Sequence, residues 1–519
     1  MQKNIRVYLN SNDIAMKITW YRNSEKRWTQ LMEIRWLHFI ANSAWSTIKL
    51  NKKWTPTDVI LQYCTDSKWW TTYSFWNTIT LSNVWDNVRF RNASTTDTWF
   101  STSTWNCYQF EMTWSISCDW DINYLLNKNS TTTLSSYCYY WLFYECTSLT
   151  TSPILSSTTL AEACYYHLFF WCTWLTTAPT LSATTLAKAC YRWMFRWCTG
   201  LTTAPTLNVT ALTDRCYREM FKNCTSLTAV PTLPATTATE CCYDSMFSWC
   251  TWLITAPTLP ITTLASWCYQ NMFSWCTWLT TAPTLPVTTL AYWCYWSMFS
   301  WCTWLTTAPT LPATTLAEAC YYSMFNWCTW LTTAPALPST TLANSCYNWM
   351  FQWCTNLTTA PTLSVTTLTN YCYASMFQWC TNLTTPPALP ATTLAYWCYQ
   401  YMFYGCTKLT TVPALRATTL TRDCYFYMFG ECSNLTSLPA LPATSTTYRC
   451  YRYMFRYCSK IKLSTTKTWE YQTPYRIPTS WTWTDAGGEM SHMFQWTWWT
   501  WTDTPTINTT YYTSNTIIS

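Results

Sequence analysis

Residues 320–345 read CYYSMFNWCTWLTTAPALPSTTLANS, and the same pattern begins again at Cys346 without an insertion. Its first cysteine recurs every 26 residues in thirteen copies, which occupy about Thr131 to Leu463. These cysteines are Cys138, Cys164, Cys190, Cys216, Cys242, Cys268, Cys294, Cys320, Cys346, Cys372, Cys398, Cys424 and Cys450. A unit of this length cannot bury its own apolar face, so the fixed period predicts a solenoid in which each unit stacks on its neighbours.

Each unit predicts one short helix and one strand. Thr315 followed by Glu318 matches a capping box, so a helix of about two turns should run from the second Thr of TTL to the second cysteine. The stretch LTTAPALP at 331–338 contains proline, which excludes a helix and favours an extended strand. The fold class predicted is therefore an α/β solenoid of leucine-rich-repeat type, with a parallel sheet and short helices. The predicted core ladders are Leu316, Cys320, Met324, Phe325, Cys328, Leu331 and Leu337 with their equivalents.

The consensus MFxxCTxLTTAPxLPATTLAxxCY resembles the repeat of BspA-type leucine-rich-repeat surface proteins of bacteria, over almost two thirds of the chain. That resemblance implies a curved right-handed solenoid with a parallel sheet on one side. It also implies a non-enzymatic adhesion protein at the cell surface or outside the cell, whose partner is a protein or glycan of a matrix or another cell. Ligand binding in such arrays uses variable surface positions, so no ligand-binding residue is predicted.

Two columns of tryptophan occupy positions where turn residues are expected. The position before the second cysteine is Asn223 or Gly405 in two copies and tryptophan in eight others, namely Trp171, Trp197, Trp249, Trp275, Trp301, Trp327, Trp353 and Trp379. It follows the predicted helix end, where a left-handed Gly or Asn is usual. A second column, two residues after that cysteine, exchanges Trp174, Trp252, Trp278, Trp304 and Trp330 for Gly200, Ser148, Ser226, Asn356, Asn382 and Asn434.

Composition points the same way, because the chain has 5 Gly and 40 Trp, together about 9% of its residues. Glycine alone usually supplies about 7%. We therefore expect most of these tryptophans to stand for glycine, from a UGA codon that the source lineage reads as glycine. Trp85 and Trp120 are expected at turns for the same reason. The alternative is a ladder of exposed indoles that stacks sugar rings or aromatic ligands. A left-handed backbone at each indole, costing on the order of 1 kcal/mol per copy, argues against it.

Charge is unevenly distributed. The net charge is +7, yet Glu318 is the one charged residue between Asp244 and Lys408. This neutral, Thr-rich surface argues against nucleic-acid binding, which requires clustered Lys and Arg. Arginines near the two ends of the array are interpreted as solvated faces: Arg192, Arg196, Arg215, Arg218, Arg449, Arg452 and Arg456.

Twenty-six of the 30 cysteines lie in two columns eight residues apart. They align with the apolar stripe, which favours buried free thiols over disulfides between stacked copies, although an oxidising compartment would permit the latter. The chain has three His and no cysteine pair at metal-ligand spacing, so no metal or cofactor is predicted. No recurring catalytic set is present, so we do not expect an enzyme.

Four regions are predicted. Residues 1–53 are unassigned, although IRVYLN at 5–10 could form a strand. Residues 54–130 alternate like a small antiparallel β domain that caps the first repeat, and they resemble the β-rich leader of many BspA-type proteins. Residues 131–463 are the thirteen repeats, and residues 464–519 hold a degenerate repeat around Met493 and Phe494 with a terminal cap.

The beginning of the chain shows no signal-peptide pattern, and no apolar run reaches the ~18–20 residues of a membrane span. A monomer is expected. These features leave a second hypothesis open, in which the chain is a structural or phage-borne fibre or decoration protein.

Overall fold

The computed structural model describes residues 20–22, 28–30, 36–53, 59–65, 69–93, 100–101, 103–104, 106–126, 133–444, 446–477, 490–497 and 510–513. The strand predicted at 5–10 lies outside these residues. The described part consists of an amino-terminal β-rich region, a stack of coils and a small carboxyl-terminal sheet.

The amino-terminal region contains short antiparallel strands, and several of those after residue 36 alternate buried with more exposed residues. Its strands are β1 (Trp20–Arg22), β2 (Trp28–Gln30), β3 (Leu37–Ala41), β4 (Ser46–Lys53), β5 (Leu61–Cys64), β6 (Thr71–Thr72), β7 (Ile79–Leu81), β8 (Asn87–Asn92), β9 (Cys107–Thr113) and β10 (Ile116–Asp119), followed by a 3-10 helix at Ile122–Leu125. β1 pairs with β2. With β11 (Leu149–Thr151) the others form a six-stranded sheet, β11-β10-β3-β8-β5-β6, and a three-stranded sheet, β7-β4-β9. Since β3 and β4 pair with β8, β9 and β10, the β-rich region includes part of residues 1–53.

The β-rich region covers the first coil. Strand β10 pairs in parallel with β11, which belongs to that coil. The ring of Phe110 lies 4.9 Å from that of Phe39 and stacks at 5.4 Å on Phe143, the first phenylalanine of the repeat array. The core of the β-rich region therefore continues into the core of the solenoid.

The predicted helix is wrong: each coil instead carries a ribbon of consecutive turns. Met324 N–H donates to the Tyr321 carbonyl three residues back at 3.2 Å, whereas Phe325 N–H donates to the Met350 carbonyl of the next coil at 2.9 Å. This alternation continues along the coil, so every second amide bonds to the neighbouring copy. We call the segment equivalent to 317–328 the turn ribbon.

The spacing of the coils explains why a helix does not form. An α-helix is about 10 Å across, whereas extended chains pair at about 4.8 Å. The Phe325 ring lies only 5.7 and 5.6 Å from Phe299 and Phe351 in the adjacent coils. Helices cannot stack this closely, but a flat ribbon of turns can.

The sequence also predicts a continuous parallel sheet. In the structure, isolated parallel bridges join adjacent coils in its place. One series of bridges joins the second threonine of LTTAP in successive coils, including Thr281 to Thr307 and Thr307 to Thr333. Another joins the second threonine of TTL, including Thr289 to Thr315. In the first series the proline two residues after the bridged threonine lacks an amide hydrogen, which prevents a longer ladder there.

The core prediction is largely confirmed. Six of the predicted residues are buried, namely Cys320, Met324, Phe325, Cys328, Leu331 and Leu337, whereas Leu316 is half-buried and packs on the edge of the core. Tyr321 is a core residue that was not predicted; it is 2% exposed and stacks at 5.8 Å on both Tyr295 and Tyr347. The sequence indicates this tyrosine ladder, because tyrosine follows the first cysteine in all thirteen copies.

At the other end, the predicted degenerate repeat continues the stack. Phe455 N–H donates to the Met493 carbonyl at 2.9 Å, and the Phe455 and Phe494 rings stack at 5.6 Å. The carboxyl-terminal residues also form a three-stranded antiparallel sheet, in the order β12 (Leu463–Ser464), β14 (Thr510–Thr513), β13 (Thr473–Arg476). No helix among the described residues is long and apolar enough to span a membrane.

Candidate functional site

The first tryptophan column has the left-handed backbone and outward rings that the sequence predicts. All eight of its members have φ between 61° and 66°. Their rings are partly exposed, and neighbours stack closely, with the Trp275 and Trp301 centroids 4.1 Å apart and inclined by 8°. The result is an aligned aromatic strip on the turn ribbon.

The second tryptophan column lies in turns, as expected, but its backbone is not left-handed. None of its members is among the described residues with positive φ. Glycine is favoured there by crowding, because a Cβ at Gly200 would lie 2.5 Å from the Thr173 carbonyl oxygen. The indoles of this column are exposed and stack less closely, at 5.3 Å for Trp304 and Trp330.

The turn ribbon has two further left-handed positions per coil that sequence analysis missed. In one coil they are Ala319 and Ser323, four residues apart and followed by Trp327, with φ of 50°, 53° and 62°. Alanine, serine, tyrosine and arginine all occur at these positions in other coils. A left-handed backbone alone therefore does not require glycine here.

Tryptophan is nevertheless concentrated at left-handed positions. Of the 45 described non-glycine residues with positive φ, 20 are tryptophan. The expected turns at Trp85 and Trp120 are among them, with φ of 76° and 69°.

In the middle of the array the ribbon presents uncharged polar side chains in register. The Asn326 amide donates to Gln352 Oε1 at 2.7 Å, and the Gln352 amide donates to Gln378 Oε1 at 2.7 Å. The first threonine of LTTAP is exposed beside its neighbours, and its hydroxyl donates to the previous coil, as from Thr358 to the Thr332 carbonyl at 3.2 Å.

Arginines near the start of the array pair with carboxylates of neighbouring copies. Arg218 Nε lies 2.9 Å from Asp244 Oδ2, and Arg215 Nη2 lies 3.0 Å from Glu240 Oε1. Lys222 Nζ lies 3.4 Å from Glu219 Oε2, which also accepts from Arg196 at 2.7 Å. Burial raises the pKa of Asp244 to about 6 although Arg218 opposes the shift. These basic side chains are half-buried and paired, rather than the solvated faces that the sequence suggests.

Arginines near the end of the array lie on tyrosine rings instead. We call Arg449, Arg452 and Arg456 the carboxyl-terminal arginine cluster. The guanidinium carbon of Arg452 lies 4.7 Å from the Tyr453 ring centroid, and that of Arg456 lies 5.0 Å from the same centroid. No ion pair involves the cluster within the part of the chain that the structure describes.

The cysteine columns are structural. All 30 cysteines are buried and free. Cys328 Sγ donates to the Phe299 carbonyl of the preceding coil at 3.1 Å, and the same bond recurs along the array. Burial raises the pKa of Cys320 to about 12, which keeps its thiol protonated and unreactive. Among the described residues no group of three His, Cys, Asp or Glu could hold a metal ion.

A shallow cleft lies between the β-rich region and the first coil. Its lining comprises Lys52, Lys53, Trp76, Gln109, Trp141, Tyr144 and Glu145. Trp76 and Trp141 have φ of 73° and 63°, so two of the three aromatic residues in the lining are left-handed tryptophans.

Comparison with known proteins agrees with the repeat architecture. Residues 374–470 match the model of the BspA type leucine rich repeat region in six copies. No curated protein matches the sequence. One solved structure that matches is titled "Crystal structure of TLR13-ssRNA13 complex", with 14% identity, a TM-score of 0.22 and coverage of 67% of this chain. This chain spans 50% of the length of that one. Leucine-rich repeats typically form binding domains without catalytic activity.

Proposed function

Since residues 374–470 are BspA-type leucine-rich repeats, we propose that this protein is a non-enzymatic adhesion protein of a bacterial cell surface. It binds protein or glycan partners through the outer surface of its solenoid. The part of the chain that matches the family model shares its 26-residue unit with the copies that precede it, so the proposal applies to the whole array.

The observation that carries the proposal is the register between coils. Because every second amide of the turn ribbon bonds to the next copy, exposed side chains at equivalent positions are held in regular columns. Such columns present the same chemical group many times on a rigid support, which favours repetitive or multivalent partners.

The fibre hypothesis is less well supported. A fibre assembled head to tail would need both the first and the last coil to be open. Strand β10 pairs with the first coil, so one of the two ends at which another copy would add is occupied.

Binding of the purified chain to immobilised extracellular-matrix proteins and to a glycan array tests the proposal. We expect saturable binding to at least one of them, lost when the chain is denatured. Absence of binding by the folded protein, together with filaments in electron micrographs, would favour the fibre hypothesis.

We also propose that most tryptophans of the two columns are glycine in the natural protein, through a UGA codon read as glycine. For the first column the support is the left-handed backbone, at which Gly405 and Asn223 fill the same position in other coils. For the second column it is the crowding around the Cβ position of Gly200. Mass spectrometry of protein from its own source measures this directly, because each glycine lightens a repeat peptide by the mass difference between the two residues. Tryptophan at all eight positions of the first column would reject the recoding and favour an aromatic binding strip.

A further inference from the structure

The positive charge of the chain is concentrated in its last coils. Residues 408–467 contain nine Lys and Arg but only Asp423 and Glu431 as acidic residues, against a net charge of +7 for the whole chain. The carboxyl-terminal arginine cluster lies in the last regular coil of this segment.

The cluster differs from the equivalent basic residues of an earlier coil in having no carboxylate partner. The coil containing Cys216 carries Arg215, Arg218 and Lys222 at the three positions that Arg449, Arg452 and Arg456 occupy around Cys450. In the earlier coil all three basic groups contact a carboxylate, at 3.0, 2.9 and 3.4 Å. In the later coil no described carboxylate contacts them, since Asp423 pairs with Arg422 and Glu431 accepts a hydrogen bond from Tyr404.

The cluster is held in place by aromatic rings. Tyr427 and Tyr453 stack at 4.4 Å, and the Arg456 guanidinium donates to the Tyr427 hydroxyl while lying 4.8 Å from the Tyr457 ring. Arg449 lies 4.7 Å from the Tyr448 ring. Cation–π contacts orient guanidinium groups without neutralising them. No tryptophan contributes to these contacts, so they do not depend on the recoding.

We propose that the carboxyl-terminal arginine cluster binds the carboxylate or sulfate groups of an acidic polysaccharide. Planar guanidinium groups match both anions in bidentate geometry. Arg452 and Arg456 are four residues apart, which is the period of the turn ribbon, so both side chains leave the same face of the coil. An acidic polysaccharide carries its anionic groups at regular intervals and can engage several guanidinium groups at once. This inference rests on the proposed binding function and names the ligand class.

Two other polyanions fit the cluster less well. A peptide strand cannot add by backbone pairing, because Tyr453 and Phe455 already donate to the next coil and Met454 donates within its own turn. Single-stranded nucleic acid binds through free aromatic faces as well as charge. Here guanidinium groups and neighbouring rings cover the faces of Tyr427 and Tyr453.

The test measures binding of the full chain to heparin, which is sulfated, and to polygalacturonate, which carries only carboxylates. Neutral dextran is the negative control. We expect the triple variant R449Q/R452Q/R456Q to bind the better acidic glycan at least ten-fold more weakly. Comparison of the two glycans identifies the preferred anion.

The matched control is K460Q/K462Q/K467Q, which removes the same amount of charge from exposed lysines of the same segment. It should weaken binding less than three-fold. A third variant, R449K/R452K/R456K, keeps the charge but removes the planar fork, so we expect an intermediate loss. The lysine variant also allows glycan binding to be compared if the glutamine variant does not fold.

Three outcomes would overturn the inference. They are equal losses in the arginine and lysine variants, no binding to either acidic glycan, and tighter binding to polyglutamate or DNA than to both glycans. If the arginine variant binds the acidic glycans as tightly as the wild-type chain and also adheres to matrix proteins, the proposed function survives and this inference fails. If the wild-type chain binds an acidic glycan through the cluster but adheres to nothing else tested, the inference stands and matrix adhesion fails.

Discussion

At the scale of single residues, the left-handed positions follow from stacking rather than from residue preference. Ala319, Ser323 and Trp327 all have positive φ, which costs on the order of 1 kcal/mol at a non-glycine residue. Each also donates its amide to the next coil, at 2.8 to 2.9 Å. A hydrogen bond of this kind contributes about 1 kcal/mol, so stacking offsets the backbone cost. The sequence therefore predicts a left-handed backbone at the third position, where Gly405 and Asn223 occur, but not at the first two positions.

Replacement of Phe325 by alanine tests the phenylalanine ladder. The ring is fully buried between two stacked neighbours, so we expect a loss of ~3–5 kcal/mol in local stability. Hydrogen exchange of the amides in adjacent coils measures it. The exposed Thr333→Ala variant is the control and should change stability by less than ~0.5 kcal/mol. A loss below about 1 kcal/mol for Phe325→Ala would contradict the ladder.

His167 makes the amino-terminal coils sensitive to acid. Burial, assisted by the positive charges of Arg192 and Arg196, lowers the pKa of His167 to about 2. Its Nδ1 accepts a hydrogen bond from Trp141 Nε1 at 2.9 Å, which requires the neutral ring. The unfolded chain takes up a proton near pH 6.5 and the folded chain does not, so the contribution of His167 is present above that pH and is lost as the pH falls.

Between pH 7.5 and pH 5 this loss should be about 2 kcal/mol. The His167→Asn substitution suits the left-handed backbone and removes the titrating group. The free energy of unfolding of this variant should therefore fall less than that of the wild-type chain between the two pH values. Chemical denaturation of both proteins at the two pH values measures the difference. Parallel pH profiles would show that the ring is hydrated.

At the scale of elements, apolar periodicity located the buried face but not the conformation. Cysteine, Met and Phe at intervals of four and one residues fit a helix, yet they equally fit a ribbon whose turns repeat every four residues. The hydrogen-bond pattern decides between helix and ribbon. That pattern depends on the distance between coils, which the sequence of a single coil does not reveal.

The stacked Tyr321 was missed because a helix would place it beside the buried face rather than on it. Surface features such as the unpaired arginine cluster depend on which coils become neighbours.

Far-UV circular dichroism distinguishes the two conformations. A helix of two turns in each of thirteen coils would produce strong paired minima. The turn ribbon predicts a spectrum without them. A helical spectrum from the soluble chain would contradict the hydrogen-bond pattern.

The cysteine columns predict a further property of the elements. Because every thiol is buried and free, we expect no reaction with a thiol reagent in the native state and 30 reactive thiols after denaturation without reductant. Fewer reactive thiols would indicate disulfides between coils. Native reactivity would indicate that the coils open.

At the scale of the whole molecule, the solenoid separates stability from recognition. Buried Cys, Met, Phe, Tyr and Leu columns are nearly constant along the array, whereas the ribbon surface changes from ion-paired to neutral to basic. Each coil contacts only its neighbours, so surface changes in one coil leave distant coils unaffected. This arrangement allows a binding site to develop in the last coils without altering the core.

One 26-residue coil is the structural unit of the array, and it bonds in register to the next coil. Two deletions test it most directly. Removing 320–345 joins Ala319 to Cys346, so Tyr295 and Phe299 can donate to Cys346 and Met350 as they now do to Cys320 and Met324. Removing 320–332 deletes half of a coil and destroys this register.

Hydrogen exchange at the amides of Tyr295 and Phe299 is the decisive measurement. We predict that both stay protected after deletion of 320–345 and lose protection after deletion of 320–332. Equal loss of protection in the two proteins would contradict a solenoid built from these coils.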